Sequence, residues 1–185
     1  MRELSLHILD IAQNSIKAEA ECLRIAIIED LINDKLTIKI KDDGVGMDAD
    51  TLEKVVDPFY TTRTTRKVGL GIPLFKISAE QCDGYFDIKS QLGTGTEITA
   101  VFKHSHIDRV PLGNMPETIV TIINGCDQMD LIYTHTVNHE TFSLNTKDIK
   151  KLLDGVPISN LDVITWLREY ITEGLAEITS TRKEG

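Results

Sequence analysis

A helix, a strand running into a turn, and a basic loop opening a second helix follow one another in this chain, and that order constrains its fold more than its composition does. Residues 7–18 read HILDIAQNSIKA, residues 42–47 DDGVGM and residues 57–74 DPFYTTRTTRKVGLGIPL, with GTGT at 93–96 behind them. Each stretch is weak by itself, because an Asn on a helix, a D-x-G-x-G turn and a G-x-G helix entrance all occur by chance. Their succession is what carries information.

In the first stretch Asp10 and Asn14 are four residues apart and Lys17 follows three later, so one helical face presents a carboxylate, an amide and a cation. The amide oxygen of Asn14 is a hard neutral ligand of the kind Mg²⁺ accepts beside phosphate oxygens and water, and Lys17 can neutralise phosphate charge. Asp10 can orient or deprotonate a water. Leu6, Leu9, Ile11 and Ile16 recur near helical period and are expected to face the core. Taken alone, Asp10 and Lys17 also fit an ordinary solvated helix face.

The second stretch follows KLTIKIK at 35–41, whose alternation predicts a half-buried strand ending at Asp42. A strand-end Asp can accept a hydrogen bond from an exocyclic amine, and Gly44 and Gly46 permit close ligand approach. By itself the segment also reads as a tight glycine turn; a calcium loop is the weaker competitor, because EF-hand spacing and its closing Glu are missing. In the third stretch a hydroxyl-rich segment with Arg63, Arg66 and Lys67 leads into Gly69-Leu70-Gly71 and an apolar run. The spacing predicts a lid followed by a helix whose N-terminus can face phosphate. It is neither a P-loop nor a dinucleotide fingerprint, since G-x-x-x-x-G-K-[ST] is absent and no third glycine follows Gly71.

These residues resemble the gyrase, chaperone, histidine-kinase and MutL (GHKL) superfamily of ATP-binding domains, and most of all the ATP-binding domain of bacterial histidine kinases. HILDIAQNSIKA is similar to its N box, DDGVGMD to the first glycine box, DPFYTTR to the phenylalanine box, VGLGIPL to the second glycine box and GTGTEITAVF to the closing strand segment. The resemblance covers residues 1 to about 104. It implies ATP and Mg²⁺ as cofactors, Asn14 as the Mg²⁺ ligand, Asp42 as the adenine partner and Thr96 beside the adenine. Lys17, Gly44, Gly46, Met47, Arg63, Arg66, Lys67, Gly69, Leu70 and Gly71 complete the implied nucleotide set. Asp10 stands where hydrolysing branches and anti-sigma serine kinases carry a Glu base, and where many histidine kinases carry Asn. Lys67 departs from the leading Gly of the second glycine box. The implied activity is a protein kinase module acting on a separate acceptor, because no phosphoacceptor hairpin precedes the N box in this sequence. A nucleotide-gated binding module and a slow MutL-like ATPase are the alternatives.

Composition narrows the classes. The 185 residues with 41% hydrophobic content can supply a core, and the net charge of −9 disfavours nonspecific nucleic-acid binding. Cys22, Cys82 and Cys126 are widely spaced, so neither a disulfide framework nor a zinc site is expected, and buried structural thiols are. No signal peptide or membrane span is evident, which makes a cytoplasmic protein the expectation. His7 on the N-box helix is expected to be structural. A metal site from His135 and His139 would need a third ligand that the sequence does not offer.

The expected fold is α+β: a two-layer sandwich with helices on a mixed, mostly antiparallel sheet. Helices are predicted at 3–18, 49–56 and 70–82, and strands at 22–29, 35–41, 85–90 and 96–103. Residues 1–104 would form the ATP-binding domain and 105–185 an extension with a regulatory or association role. In that extension 118–123, 131–137 and 141–144 are expected as strands continuing the first sheet, and 146–153 and 160–178 as helices. Ser159 with Asp162 resembles a capping box. Leu161, Ile164, Leu167, Ile171, Leu175 and Ile178 form a stripe for packing on the sheet, with a homodimer seam or partner groove near Trp166 and Tyr170 as the alternative.

Overall fold

The computed structural model describes residues 2–61 and 70–180. In chain order the elements are α1 (Leu4–Lys17), β1 (Cys22–Asp30), β2 (Lys35–Asp42), α2 (Ala49–Val55), α3 (Pro58–Thr61), α4 (Gly71–Gln81), β3 (Tyr85–Gln91) and β4 (Gly95–Lys103). They continue as α5 (Met115–Gly125), β5 (Asp130–Val137), β6 (Glu140–Asn145), α6 (Thr146–Leu152) and α7 (Leu161–Ser180). The strands make one six-stranded sheet in the order β3-β4-β2-β1-β5-β6. Every pairing is antiparallel except β1 with β5, so the sheet is mixed, and the strands after residue 104 extend it as expected.

Period-two alternation decides which face carries helices. Matching registers align Ile88, Ile98, Ile40, Ile25, Tyr133 and Leu144 in one row across all six strands, with Phe86, Ala100, Ile38, Ile27, His135 and Phe142 in the next. Almost all of these side chains are buried, because α1, α4, α5 and α7 pack on that face. The other face presents Arg24, Lys39, Lys41 and Lys89, all exposed. Gly174 lets α7 come down on β6: a Cβ there would sit 2.1 Å from the Phe142 ring.

Three local expectations are corrected. The buried side of α1 is Leu4, Ser5, His7, Ile8, Ile11, Ala12 and Ser15, two adjoining three-and-four rows, while Leu6 is exposed and Leu9 and Ile16 only border the core. Residues 118–123 are helical, not a strand. Their β-branched run is too short for period alone to decide, and the start signals win: Asn114 Oδ1 accepts from the Glu117 amide at 3.0 Å and Pro116 occupies the first turn. At α7, Asn160 caps in place of Ser159, accepting the Asp162 amide at 2.9 Å, while the Ser159 hydroxyl turns to Asp127. The α7 stripe packs on the chain's own sheet through Ile164, Leu167, Ile171 and Ile178, leaving Leu161 exposed. Trp166 and Tyr170 stack on each other outside, with ring centroids 5.0 Å apart. Of the three free cysteines, Cys82 alone is buried.

His7 is buried where α1 meets α4, stacked on Phe75 with centroids 5.2 Å apart, and its Nδ1 has no hydrogen-bond partner among the described residues. Burial, and secondarily the chain's amino-terminal charge, lower its pKa from 6.5 to about 4. A depressed imidazole stabilises the fold while it stays neutral. That contribution is complete above pH 6.5 and is lost as the unfolded chain alone takes up a proton, down to about pH 4. His7→Phe should therefore remove roughly 2 kcal/mol of the stability lost between those limits, read from urea midpoints of both proteins across the range. Parallel pH profiles would contradict a neutral buried imidazole.

Candidate nucleotide site

The alternation that fills the core also lines up three polar residues at one end of the sheet. Asp42, Thr96 and Ser90 occupy successive strands β2, β4 and β3 in one cross-strand row, on the helix-covered side. The Asp42 carboxylate is fixed from three directions. Oδ2 accepts from the Ser15 hydroxyl on α1 at 2.6 Å, and Oδ1 accepts from the amides of Gly44 at 3.0 Å and Thr96 at 3.3 Å. Donors of this kind fix the orientation of a carboxylate. A cavity of about 230 Å³ at these strand ends is lined by Asp42, Ser90 and Thr96 together with Lys41, Lys89 and Glu97, whose row faces the opposite side of the sheet, and its lining takes in no residue of α1 or α4.

Backbone without side chains makes the close contacts here. Gly46 has φ +71°, and a Cβ on it would lie 2.0 Å from the Gln91 carbonyl oxygen; Gly95, at φ +116°, backs onto Asp42 O at the same distance. The turn after β2 is thereby pressed against the β3–β4 turn. Ser90 ties the two together: its Oγ accepts from the Met47 amide at 2.8 Å, donates to Gly95 O at 3.0 Å and lies 2.8 Å from Thr96 Oγ1.

On the helix side, α4 begins directly against α1. A Cβ on Gly71 would stand 2.9 Å from the Asp10 Cβ, so glycine is what lets the α4 N-terminus and the Asp10 carboxyl share one space. Leu70 is the N-cap and is exposed. Burial raises the Asp10 pKa above its ordinary value, and the positive charge of Lys17 draws it partly back. Asn14 is half-buried on the same helix, and no hydrogen bond to its side-chain amide is seen among the described residues. Arg63, Arg66, Lys67 and Gly69 lie outside the described residues.

A family model for histidine kinase-, DNA gyrase B- and HSP90-like ATPases matches residues 2–106, the segment that holds α1 to β4 and every residue of this site. The chain belongs to that ATPase family. Among family relatives, sensor histidine kinase YvrG of Bacillus subtilis is 29% identical over 94 residues, covering 49% of this chain and 16% of that protein. Sporulation kinase E of the same bacterium is 34% identical over 89 residues, covering 48% and 12%. The match thus takes in a small part of each kinase's length. The N-terminal domain of a DNA repair protein shares the fold with a TM-score of 0.54 at 11% identity, covering 78% of this chain and 53% of that one.

Two residues of this ATPase-family site were not picked out as functional in the sequence: Ser15 and Ser90. Each is a lone serine whose partner is set by strand register and helix placement. The one signal was positional, since Ser15 directly follows the Asn of the N box. Removing the Ser90 hydroxyl should leave the Met47 amide and the Thr96 hydroxyl without their partner, so Ser90→Ala is expected to lower stability by about 1–2 kcal/mol in urea unfolding. A neutral effect would mean that the two turns are held together by backbone packing alone.

Proposed function

We propose that this chain binds ATP with Mg²⁺ at the Asp42 end of its sheet and acts as a kinase module, passing the γ-phosphate to an acceptor on a separate protein. The observation that carries the reading is the Asp42 carboxylate held by Ser15, Gly44 and Thr96: a prepared acceptor for the exocyclic amine of adenine, with glycine backbone around it. Membership of an ATPase family and relatives that are histidine and sporulation kinases support the same reading.

The donor set suits the implied groups. Asn14 offers a neutral amide oxygen of the kind Mg²⁺ accepts, and Gly71 brings the N-terminus of α4, with its unpaired N–H groups for phosphate, against α1. Bound Mg²⁺ would supply charge neutralisation at the phosphates. Lys17 adds a cation on the same face of α1, and Arg63, Arg66 and Lys67 are the proposed lid cations. Asp10, with its raised pKa, would hold or accept a proton from the attacking hydroxyl, imidazole or water. Catalysis by this chain's own groups is then positioning together with electrostatics.

Titration calorimetry with Mg-ATP, and phosphate release followed in the same samples, tests the reading. Asn14→Ala and Asp42→Ala should each weaken binding at least about tenfold. Asp10→Asn should keep binding and lose turnover. Labelled phosphate on a second protein identifies a kinase, free phosphate a slow ATPase, and tight binding with neither a nucleotide-gated module. Absence of ATP binding by folded wild type would refute the nucleotide reading.

A further inference from the structure

The two edges of the sheet are finished differently. At β3, Asp87 and Lys89 stand exposed and 3.7 Å apart, and α2 and α4 pack against the strand. Charge and cover of this kind keep an edge from recruiting another strand. β6 forms the other edge. Residues 141–145 read TFSLN, without charge or proline, and no described strand pairs with their outer side. Antiparallel pairing with β5 uses every second residue, so half of the six residues of β6 turn their N–H and C=O groups outward.

α7 lies over β5 and β6, and its ends fix its direction. Ser159, just ahead of it, bonds Asp127 before β5 starts. Ala176 and Thr179, near its other end, line one cleft with Glu29, which is paired with Val137 where β5 stops. The helix therefore runs antiparallel to β6. Arg168 on one flank reaches Glu117 of α5 at 2.8 Å, so the opposite flank faces the open edge. Helical spacing puts Trp166, Tyr170 and Glu177 on that flank, with Glu173 beside them. The Tyr170 ring is 5.5 Å from that of Phe142 on β6, and Trp166 stacks on Tyr170, the two being 49% and 41% exposed. Large aromatics left half in water beside an uncharged edge have the make-up of an interface centre.

The occupant that fits is a second copy. Strands in a sheet lie about 4.8 Å apart, so a second β6 added antiparallel would set its α7 about 10 Å from the first, the spacing of packed helices. A two-fold axis at this edge also brings Glu173 and Glu177, at the C-terminal end of one α7, to the α6 end of the other copy. There Lys147 and Lys151 are exposed and make no ion pair among the described residues, against the one carboxylate of α6, Asp148. We infer that the chain forms a two-fold dimer in which the β6 edges pair into one continuous sheet and Trp166 and Tyr170 of the two copies pack across the axis. Such an arrangement closes after two copies. The inference is independent of the nucleotide reading.

Sedimentation equilibrium of the full chain over roughly 1 to 200 µM tests it, with hydrogen exchange of the β6 amides followed at both ends of that range. The mass should rise to about twice the chain's 20.7 kDa, and alternate amides of residues 141–145 should slow by about tenfold or more as it does. Trp166→Glu, at an exposed position that spares the core, should give a folded monomer by circular dichroism. Glu173→Lys with Glu177→Lys should weaken the dimer about tenfold, and adding Lys147→Glu with Lys151→Glu should restore it. The inference is overturned by a wild type that stays monomeric throughout, by β6 amides that stay unprotected in a dimer, by a dimer that survives in folded Trp166→Glu, or by assemblies that keep growing beyond two copies.

Discussion

Ser15, Asp42 and Thr96 join the helix layer to the sheet at the point where the chain's polar residues gather. The 2.6 Å bond from Ser15 places a carboxylate oxygen against α1, and the amides of Gly44 and Thr96 hold the other oxygen from the turn and from β4. A charged-acceptor bond of this kind is stronger than a neutral one, and a half-buried carboxylate without such donors would be costly. Because Ser15 neighbours Asn14, the same contact sets the register of the helix that carries Asn14 and Lys17. The glycines follow from that constraint, since any side chain at Gly46 or Gly95 would separate the turn from the strands it must touch.

The second constraint is the approach of α4 to α1. Gly71 allows it, the His7–Phe75 stack fills it, and the Asp10 carboxyl is desolvated by it. One packing decision therefore governs both a stability term and the protonation of the candidate base. The ATPase family assignment gives this arrangement its meaning, while the identity of the acceptor rests on the kinase proposal.

Much of this was legible in the sequence because glycine, alternation and order leave marks that do not depend on distant contacts. Strand alternation in KLTIKIK placed Asp42 at a strand end, where β2 does end, while the glycine turn after it, expected to permit close ligand approach, in the fold brings Gly46 against the Gln91 backbone. What could not be read were partners chosen by register. Ser15 and Ser90 are unremarkable serines until β2, β3 and β4 are aligned. Residues 118–123 read as a strand because Thr, Ile and Val dominate them; Asn114 and Pro116 held the contrary signal just outside the run. The α1 stripe was legible only in part: Ile11 is buried and Leu9 and Ile16 border the core, but Leu6 is exposed and Leu4 and Ile8 were missed, since all are equally apolar and only packing against the sheet separates them.

The central claim is that Asp42 reads the amine of adenine, and competition between ATP and inosine triphosphate, which carries a carbonyl oxygen in place of that amine, tests it most directly. Equilibrium binding of both nucleotides to wild type and to Asp42→Asn should show ATP preferred by wild type about tenfold or more, with the preference collapsing in the variant. Equal affinity of wild type for the two nucleotides would contradict the account.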